Sequence, residues 1–166
     1  MNIIKVAFDY WDEEFIPDGI KLWQISMHDH FLAREEIDRM VTYTEIADDN
    51  SKKYYYLENE AKFLNFFKDV LAVNKVVYVS SKKKFLRKRI AIKSTSDYLK
   101  KCRNALREFN VNDGVFLLER NILFVIHYDL SVLFFYPEKE NILDLVDLAK
   151  KNGLFCLDYE SLKQEN

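Results

Sequence analysis

Two short stretches, MHDHF and IHYD, bring side chains of catalytic type close together in the sequence. In the first, His28 and His30 would share one face of a strand, as two ligands of a metal ion could. A protein zinc site uses three or four protein ligands, and no Glu-x-x-His or Cys-x-x-Cys spacing accompanies this pair. Helix-capping or surface positions explain the two histidines better, so we expect no metal and no cofactor.

The second stretch places His127 and Asp129 on one side of a strand end, where a base and its orienting carboxylate could lie. A hydrolase would also need a serine or cysteine nucleophile, and no recognisable elbow motif supplies one. The sequence has three glycines in all and contains no glycine-rich phosphate loop. We therefore expect no catalytic residue, and a protein that is not an enzyme.

A dense run of positive charge starts at position 82, where seven lysines and arginines occupy the twelve residues 82–93. The basic character continues along a predicted helix at spacings of three and four residues. The candidate anion-binding residues are Lys82, Lys83, Lys84, Arg87, Lys88, Arg89, Lys100, Arg103 and Arg107. Such a run could bind the phosphates of a nucleic acid, face an acidic protein, or be solvated or internally paired. A sequence pI near 6.0 is low for a nucleic-acid-binding domain, so nucleic acid binding stays the alternative.

The region from 9 to 18 combines carboxylates with large aromatic side chains. Aromatic anchors ringed by charge are typical of tight, electrostatically steered protein interfaces, for example against a basic nuclease. An inter-strand loop whose aromatic residues turn inward would have the same composition. The candidate partner-binding residues are Asp9, Tyr10, Trp11, Asp12, Glu13, Glu14 and Asp18.

Charge is unevenly distributed along the chain. Residues 1–50 contain 12 acidic and 4 basic side chains, residues 51–110 contain 5 and 16, and residues 111–166 contain 10 and 5. Either different surfaces carry opposite potentials, or acidic and basic segments pack against each other. Only the first arrangement implies a partner.

Length and composition predict a single globular domain over residues 1–166, with a polar break near 48–53. The acidic N-terminal stretch does not suit a signal peptide, and charged residues interrupt the longest apolar tract. Cys102 and Cys156 lie far apart without a metal-ligand spacing, which is typical of reduced, buried thiols. We therefore expect a cytoplasmic protein with no membrane contact.

Periodicity predicts the elements of the N-terminal region. Alternating apolar residues favour an opening strand over 3–9. After a Pro-Asp-Gly turn, a second strand is expected over 21–27. The pattern over 32–47 fits a helix, although residues 41–44 would also suit a strand.

The middle of the chain has clearer signals. A long helix is expected after the polar break, and the strand KVVYVS can pair with the basic run as a hairpin. The next helix would be capped by Thr95 or Ser96 and would bury Tyr98, Cys102 and Leu106.

The C-terminal third predicts a meander of three strands and then a helix. The strands are expected at 115–118, 122–127 and 132–136. Pro137 suits the first turn of the helix, and Gly153 suits its end. Together these elements predict an α+β fold with a mixed or mainly antiparallel sheet of about five to six strands and three to four flanking helices.

One part of this region resembles a known group of proteins. The stretch NILFVIHYDLSVLFFYPEKENILDLVDLAKKNGL, residues 121–154, resembles in pattern the small cytosolic immunity proteins of bacterial contact-dependent inhibition and polymorphic toxin systems. These families share no binding signature, so the resemblance assigns no residue. It implies a stoichiometric inhibitor that blocks a toxin domain, often a nuclease, inside the cell that makes it.

The expected function is therefore that of a protein-binding module that masks a cognate toxin domain. Charge complementarity and aromatic anchors would hold the toxin, with the 9–18 region as the first choice of surface.

Overall fold

The computed structural model describes residues 3–7, 16–37, 39–46, 49–80, 88–108 and 113–162; at 88 and 162 it describes the backbone alone. Within these ranges, seven strands form one sheet in the order β3-β2-β4-β5-β6-β1-β7, and every neighbouring pair is antiparallel. The predicted α+β class is thus confirmed, with one strand more than expected. The strands are β1 Ile20–Ser26, β2 Val76–Ser80, β3 Lys88–Ile90, β4 Asp113–Leu117, β5 Ile122–His127, β6 Ser131–Pro137 and β7 Phe155–Asp158.

Helices lie on both faces of this sheet. The described helices are α1 over residues 3–7, α2 Arg34–Ile37, α3 Asn50–Val73, α4 Thr95–Arg107, α5 Leu143–Lys151 and α6 Tyr159–Leu162, with a 3-10 turn at Tyr43–Glu45. Every residue of β5 is buried, because one side faces α3, α4 and α5 and the other faces α1. We call the side covered by α3 to α5 the first face and the side covered by α1 the second face.

The alternation along the central strands assigns residues to the two faces. On the first face, Phe124 packs edge-on against Phe66 of α3, with ring centroids 5.5 Å apart. On the second face, Leu123 and Val125 share a buried cluster with Ile3 and Ile4 of α1. Since both faces are apolar over most of their area, polar side chains that point from the central strands stand out.

The predicted long helix after the polar break is confirmed as α3. Asp49 caps it: one of its carboxylate oxygens accepts hydrogen bonds from the backbone N–H of Ser51 and Lys52 at 2.9 and 3.2 Å. The helix buries mainly aromatic side chains on the sheet and leaves Tyr54 and Tyr55 exposed near its start.

The hairpin and the meander are also confirmed. Tyr78 of β2 faces Ile90 of β3, and the meander pairs β4 with β5 and β5 with β6. Non-glycine residues with positive φ, Asn121 and Leu130, occupy the two tight turns of the meander. The helix after the hairpin is confirmed as α4, although its cap is Ser94, whose hydroxyl accepts from the N–H of Asp97, instead of Thr95 or Ser96.

Three predicted elements are wrong or displaced. The opening strand is helix α1, in which Ile3, Ile4 and Ala7 are buried at helical spacing; a short apolar run fits either period. The helix predicted over 32–47 is reduced to α2 and the separate 3-10 turn, because residues 40–42 are not helical.

The last helix begins later than predicted. Pro137 is the final residue of β6, where it pairs with Ile20, so it does not open a helix. Helix α5 starts at Leu143, whose N–H donates to the side-chain oxygen of Asn141 at 3.1 Å. The predicted end is confirmed, because Gly153 follows α5 with a φ of +71°.

Both cysteines are free thiols, as predicted. Cys102 is fully buried, and burial raises the pKa of the partly buried Cys156 to about 12. A thiol with so high a pKa is a poor nucleophile at neutral pH. Within the described ranges, no helix is long and apolar enough to cross a membrane.

Candidate functional site

Polar side chains lie together on the second face, at the end of the sheet that holds the turn between β5 and β6. His127 ends β5 and Ser131 begins β6, and the two are directly paired across the strands. Gln24 of β1 pairs with Leu133 of β6, so Gln24 and Ser26 point to the same face. A polar row therefore crosses three neighbouring strands on a face that is mostly apolar.

This row forms the floor of a cleft of about 310 Å³, which we call the polar cleft. The connection after β1 closes it on one side, and α6 contributes Tyr159. The lining residues are Gln24, Ser26, His28, Phe31, Leu32, Ile37, Met40, His127, Asp129, Leu130, Ser131, Leu133 and Tyr159. A neighbouring cleft of about 280 Å³ shares His28, Leu32 and Met40 with it and extends to Arg39 and Tyr55.

The predicted pair His127 and Asp129 does meet at this cleft, but its geometry differs from that of a catalytic triad. Asp129 Oδ1 accepts hydrogen bonds from the hydroxyl of Ser131 at 2.6 Å and from its backbone N–H at 3.1 Å. In a triad the serine hydroxyl donates to the histidine. The Asp129 carboxylate therefore fixes the turn around Leu130. Burial lowers the pKa of His127, and the negative charge of Asp129 partly opposes that shift.

The second predicted pair, His28 and His30, follows the end of β1 instead of lying within a strand, and its ring centroids are 6.1 Å apart. His28 lines both clefts, and its backbone N–H donates to Ser26 Oγ at 3.0 Å. His30 is exposed between Asp29 and Glu36, with nitrogen–oxygen distances of 2.8 and 3.2 Å. Glu36 also accepts from the N–H of Ala33, so it holds the first turn of α2. In the part of the chain that is described, no group of three histidine, cysteine or acidic residues could hold a metal ion.

We expect His30 to titrate above its ordinary pKa of 6.5, because its hydrogen bonds to Asp29 and then to Glu36 favour the charged ring. A raised pKa means that this stabilisation is fully present below pH 6.5 and is lost as the pH rises through the folded-state pKa. An NMR titration of the imidazole Cε1 proton measures this, and Glu36→Gln should bring the pKa back toward 6.5. An unchanged pKa in that variant would contradict the pairing.

Exposed large side chains are concentrated in α2, in the 3-10 turn and in the first turns of α3, and we call this group the aromatic band. Tyr55 lines the neighbouring cleft and approaches Met27, and the Tyr43 ring lies 5.6 Å from the ring of Tyr56. The members of the band and their exposed fractions are Ile37 at 54%, Tyr43 at 38%, Tyr54 at 73%, Tyr55 at 45% and Leu57 at 37%.

A buried ion pair supports one end of this band. Glu60 of α3 is 3% exposed, and Arg107 of α4 donates to it through Nε and Nη2 at 2.5 and 2.8 Å. The guanidinium carbon of Arg107 also lies 4.2 Å from the centroid of the Tyr43 ring. Tyr56 donates to the carbonyl of Leu106 at 2.8 Å, so the start of α3 is tied to the end of α4.

The predicted basic residues are divided between the two faces. Arg89 pairs with Val79 on the second face and lies 5.4 Å from the Phe116 ring, whereas α4 covers the first face. Lys100 and Arg103 are exposed on α4, but Arg107 is turned toward Glu60. Lys82, Lys83, Lys84, Arg87 and the side chain of Lys88 lie outside the described residues.

Most of the predicted acidic surface also lies outside the described residues. Asp18 is the exception: it is exposed in the turn before β1, beside Gly19, whose φ is +82°. The residues that lie outside the described ranges are Asp9, Tyr10, Trp11, Asp12, Glu13 and Glu14.

Sequence reasoning missed several residues at the clefts and the aromatic band. Gln24, Ser26 and Tyr159 are brought together by strand register and have no local signal. Ser131 does have a local signal, because an Asp-x-Ser sequence favours a turn in which the aspartate side chain accepts hydrogen bonds.

Comparisons with known proteins add no relative. No protein-family model matches the chain, and no curated protein and no solved structure matches it either.

Proposed function

We propose that this protein is a non-enzymatic binding module of the immunity type, which masks a toxin domain, for instance a nuclease, in the cell that makes it. The observation that carries the proposal is the aromatic band, of which Ile37 lines the polar cleft and Tyr55 lines the neighbouring cleft. Tyrosine, methionine and arginine are enriched at the centres of protein interfaces, where a few large side chains supply most of the binding energy. Tyr54, Tyr55, Met27 and Arg39 give this surface such a composition.

Charge supports a basic partner. The sequence from 27 to 46 holds five acidic residues and two arginines, and the first fifty residues hold 12 acidic and 4 basic side chains. Asp29, Glu35, Glu36 and Glu45 are exposed around the band. A nuclease carries positive charge where it binds phosphates, so an acidic rim would speed and orient its capture.

Among the basic residues whose side chains are described, the placement of Arg89 and Arg107 favours a protein partner over the alternative, a nucleic acid bound by Lys82 to Arg107. Arg107 is ion-paired with Glu60, and Arg89 lies on the face of the sheet opposite to α4. A phosphate-binding track needs its cations free and on one surface.

Affinity capture from the native cells, with and without nuclease treatment, tests the proposal. We expect one protein in stoichiometric amount that survives nuclease, whose isolated domain is toxic when expressed alone and harmless when this protein is co-expressed. Recovery of nucleic acid, with protein partners lost after nuclease, would contradict the proposal and support the alternative.

A further inference from the structure

We propose that the polar cleft receives the guanidinium group of an arginine side chain presented by the protein partner, an assignment that rests on the proposed function. Ile37 of the aromatic band lines this cleft, and the neighbouring cleft, which shares His28, Leu32 and Met40 with it, is lined by Tyr55 of the band. A partner seated on the band would therefore have the cleft within reach of its contact surface.

The charge of the cleft favours a cation. Among the described residues that line it, Asp129 is the single carboxylate, and there is no lysine or arginine. Burial lowers the pKa of the His127 ring, so the ring adds little positive charge to the cleft at neutral pH. A carboxylate in a partly enclosed site attracts a positive group more strongly than it would in open water.

The hydrogen-bonding groups suit a donor-rich, planar ligand. Asp129 uses Oδ1 to hold Ser131, and its other oxygen, Oδ2, makes no hydrogen bond to any residue in the described part of the chain. The side-chain oxygens of Gln24 and Ser26 already accept one hydrogen bond each, from Tyr159 and His28, and each oxygen has a second lone pair. A guanidinium carries five N–H donors in one plane and no acceptor, which matches an arc of oxygens.

The walls of the cleft suit the rest of an arginine side chain. Leu32, Ile37 and Met40 supply apolar surface for the three methylene groups. Phe31 and Tyr159 stand edge to face, with centroids 5.0 Å apart, and offer aromatic faces on which a guanidinium stacks. At about 310 Å³ the cleft is at the lower end of small-molecule sites, so it fits one long side chain better than a large ligand.

An NMR titration of the full chain with three blocked amino acids tests the assignment without the toxin. The probes are the N-acetyl methylamides of arginine, of lysine, and of citrulline, the neutral isostere of arginine. We expect the arginine probe to shift the resonances of Asp129, Ser131 and Gln24, the lysine probe to bind more weakly, and the citrulline probe to leave them unchanged.

Asp129→Asn should weaken binding of the arginine probe by roughly tenfold or more, because a charged hydrogen bond is lost. Asparagine keeps the side-chain oxygen that holds the turn, so the fold should persist. The matched control is Asp147→Asn on the exposed side of α5, which should change nothing. Equal binding of arginine and citrulline, or an Asp129→Asn variant that binds as well as the original chain, would overturn the assignment.

The two proposals fail separately. If the arginine probe does not bind but a toxin is captured and neutralised, the cleft assignment is wrong and the function stands. If the probe binds but no toxin is captured, the cleft is a guanidinium site whose source is not an immunity partner.

Discussion

Replacing Arg107 with alanine should lower the free energy of unfolding by about 3 kcal/mol, because it leaves the carboxylate of Glu60 buried without its main counter-ion. Glu60 is 3% exposed and accepts two hydrogen bonds from Arg107. Arg103 does not replace that partner, since its Nε lies 3.8 Å from Glu60 and its side chain is half exposed. The lost contact with the Tyr43 ring adds to the effect.

Thermal and urea unfolding of three variants measure this. We expect a fall in Tm of roughly 6–12 °C for Arg107→Ala and a change below about 1 kcal/mol for Arg103→Ala, whose side chain is 48% exposed and whose Nε lies 3.8 Å from Glu60. Adding Glu60→Gln to Arg107→Ala should recover part of the loss, because the uncompensated charge is then gone. Equal losses of unfolding free energy in Arg107→Ala and Arg103→Ala would contradict a specific stabilisation by the Arg107–Glu60 pair.

The second large effect is on binding. Replacing Tyr54 and Tyr55 together with alanine should weaken the complex with the captured toxin domain by about 100-fold or more, since buried tyrosines at interface centres are frequent hot spots. Both side chains are exposed in the free protein, at 73% and 45%, so the variant should remain folded. Isothermal titration calorimetry with the purified domain gives the affinity.

Two equally exposed apolar residues elsewhere provide the control. Val73 at the end of α3 and Leu143 at the start of α5 are 65% and 67% exposed and lie outside the aromatic band. Their replacement by alanine should leave the affinity within about twofold, as for residues outside a hot spot. If the tyrosine and control variants bind alike, the band is not the interface.

The sequence predicted best the elements whose signals are local and agree with each other. The meander from Val115 to Tyr136 combines short apolar runs with turn residues between them, and α4 combines a cap with a clear apolar stripe. The strand predicted over 3–9 is wrong, because α1 is too short for its apolar period to be distinguished from that of a strand. Pro137 fits both a helix start and the end of β6, and pairing with Ile20 decided between them.

The clefts and the band could be predicted only in part, because they depend on contacts between distant residues. His127 and Asp129 are predicted to lie together because they are close in sequence, and both line the polar cleft. Gln24 joins them through the pairing of β1 with β6, which no local pattern specifies. Likewise, Glu60 and Arg107 are 47 residues apart, so the basic stripe on α4 gave no sign that one of its members is neutralised.

A titration of the captured toxin domain with this protein tests the central claim most directly. We predict that the toxin's activity falls linearly and disappears at one molecule of this protein per toxin domain. Full toxin activity at saturating concentrations of this protein would contradict its assignment as an inhibitor.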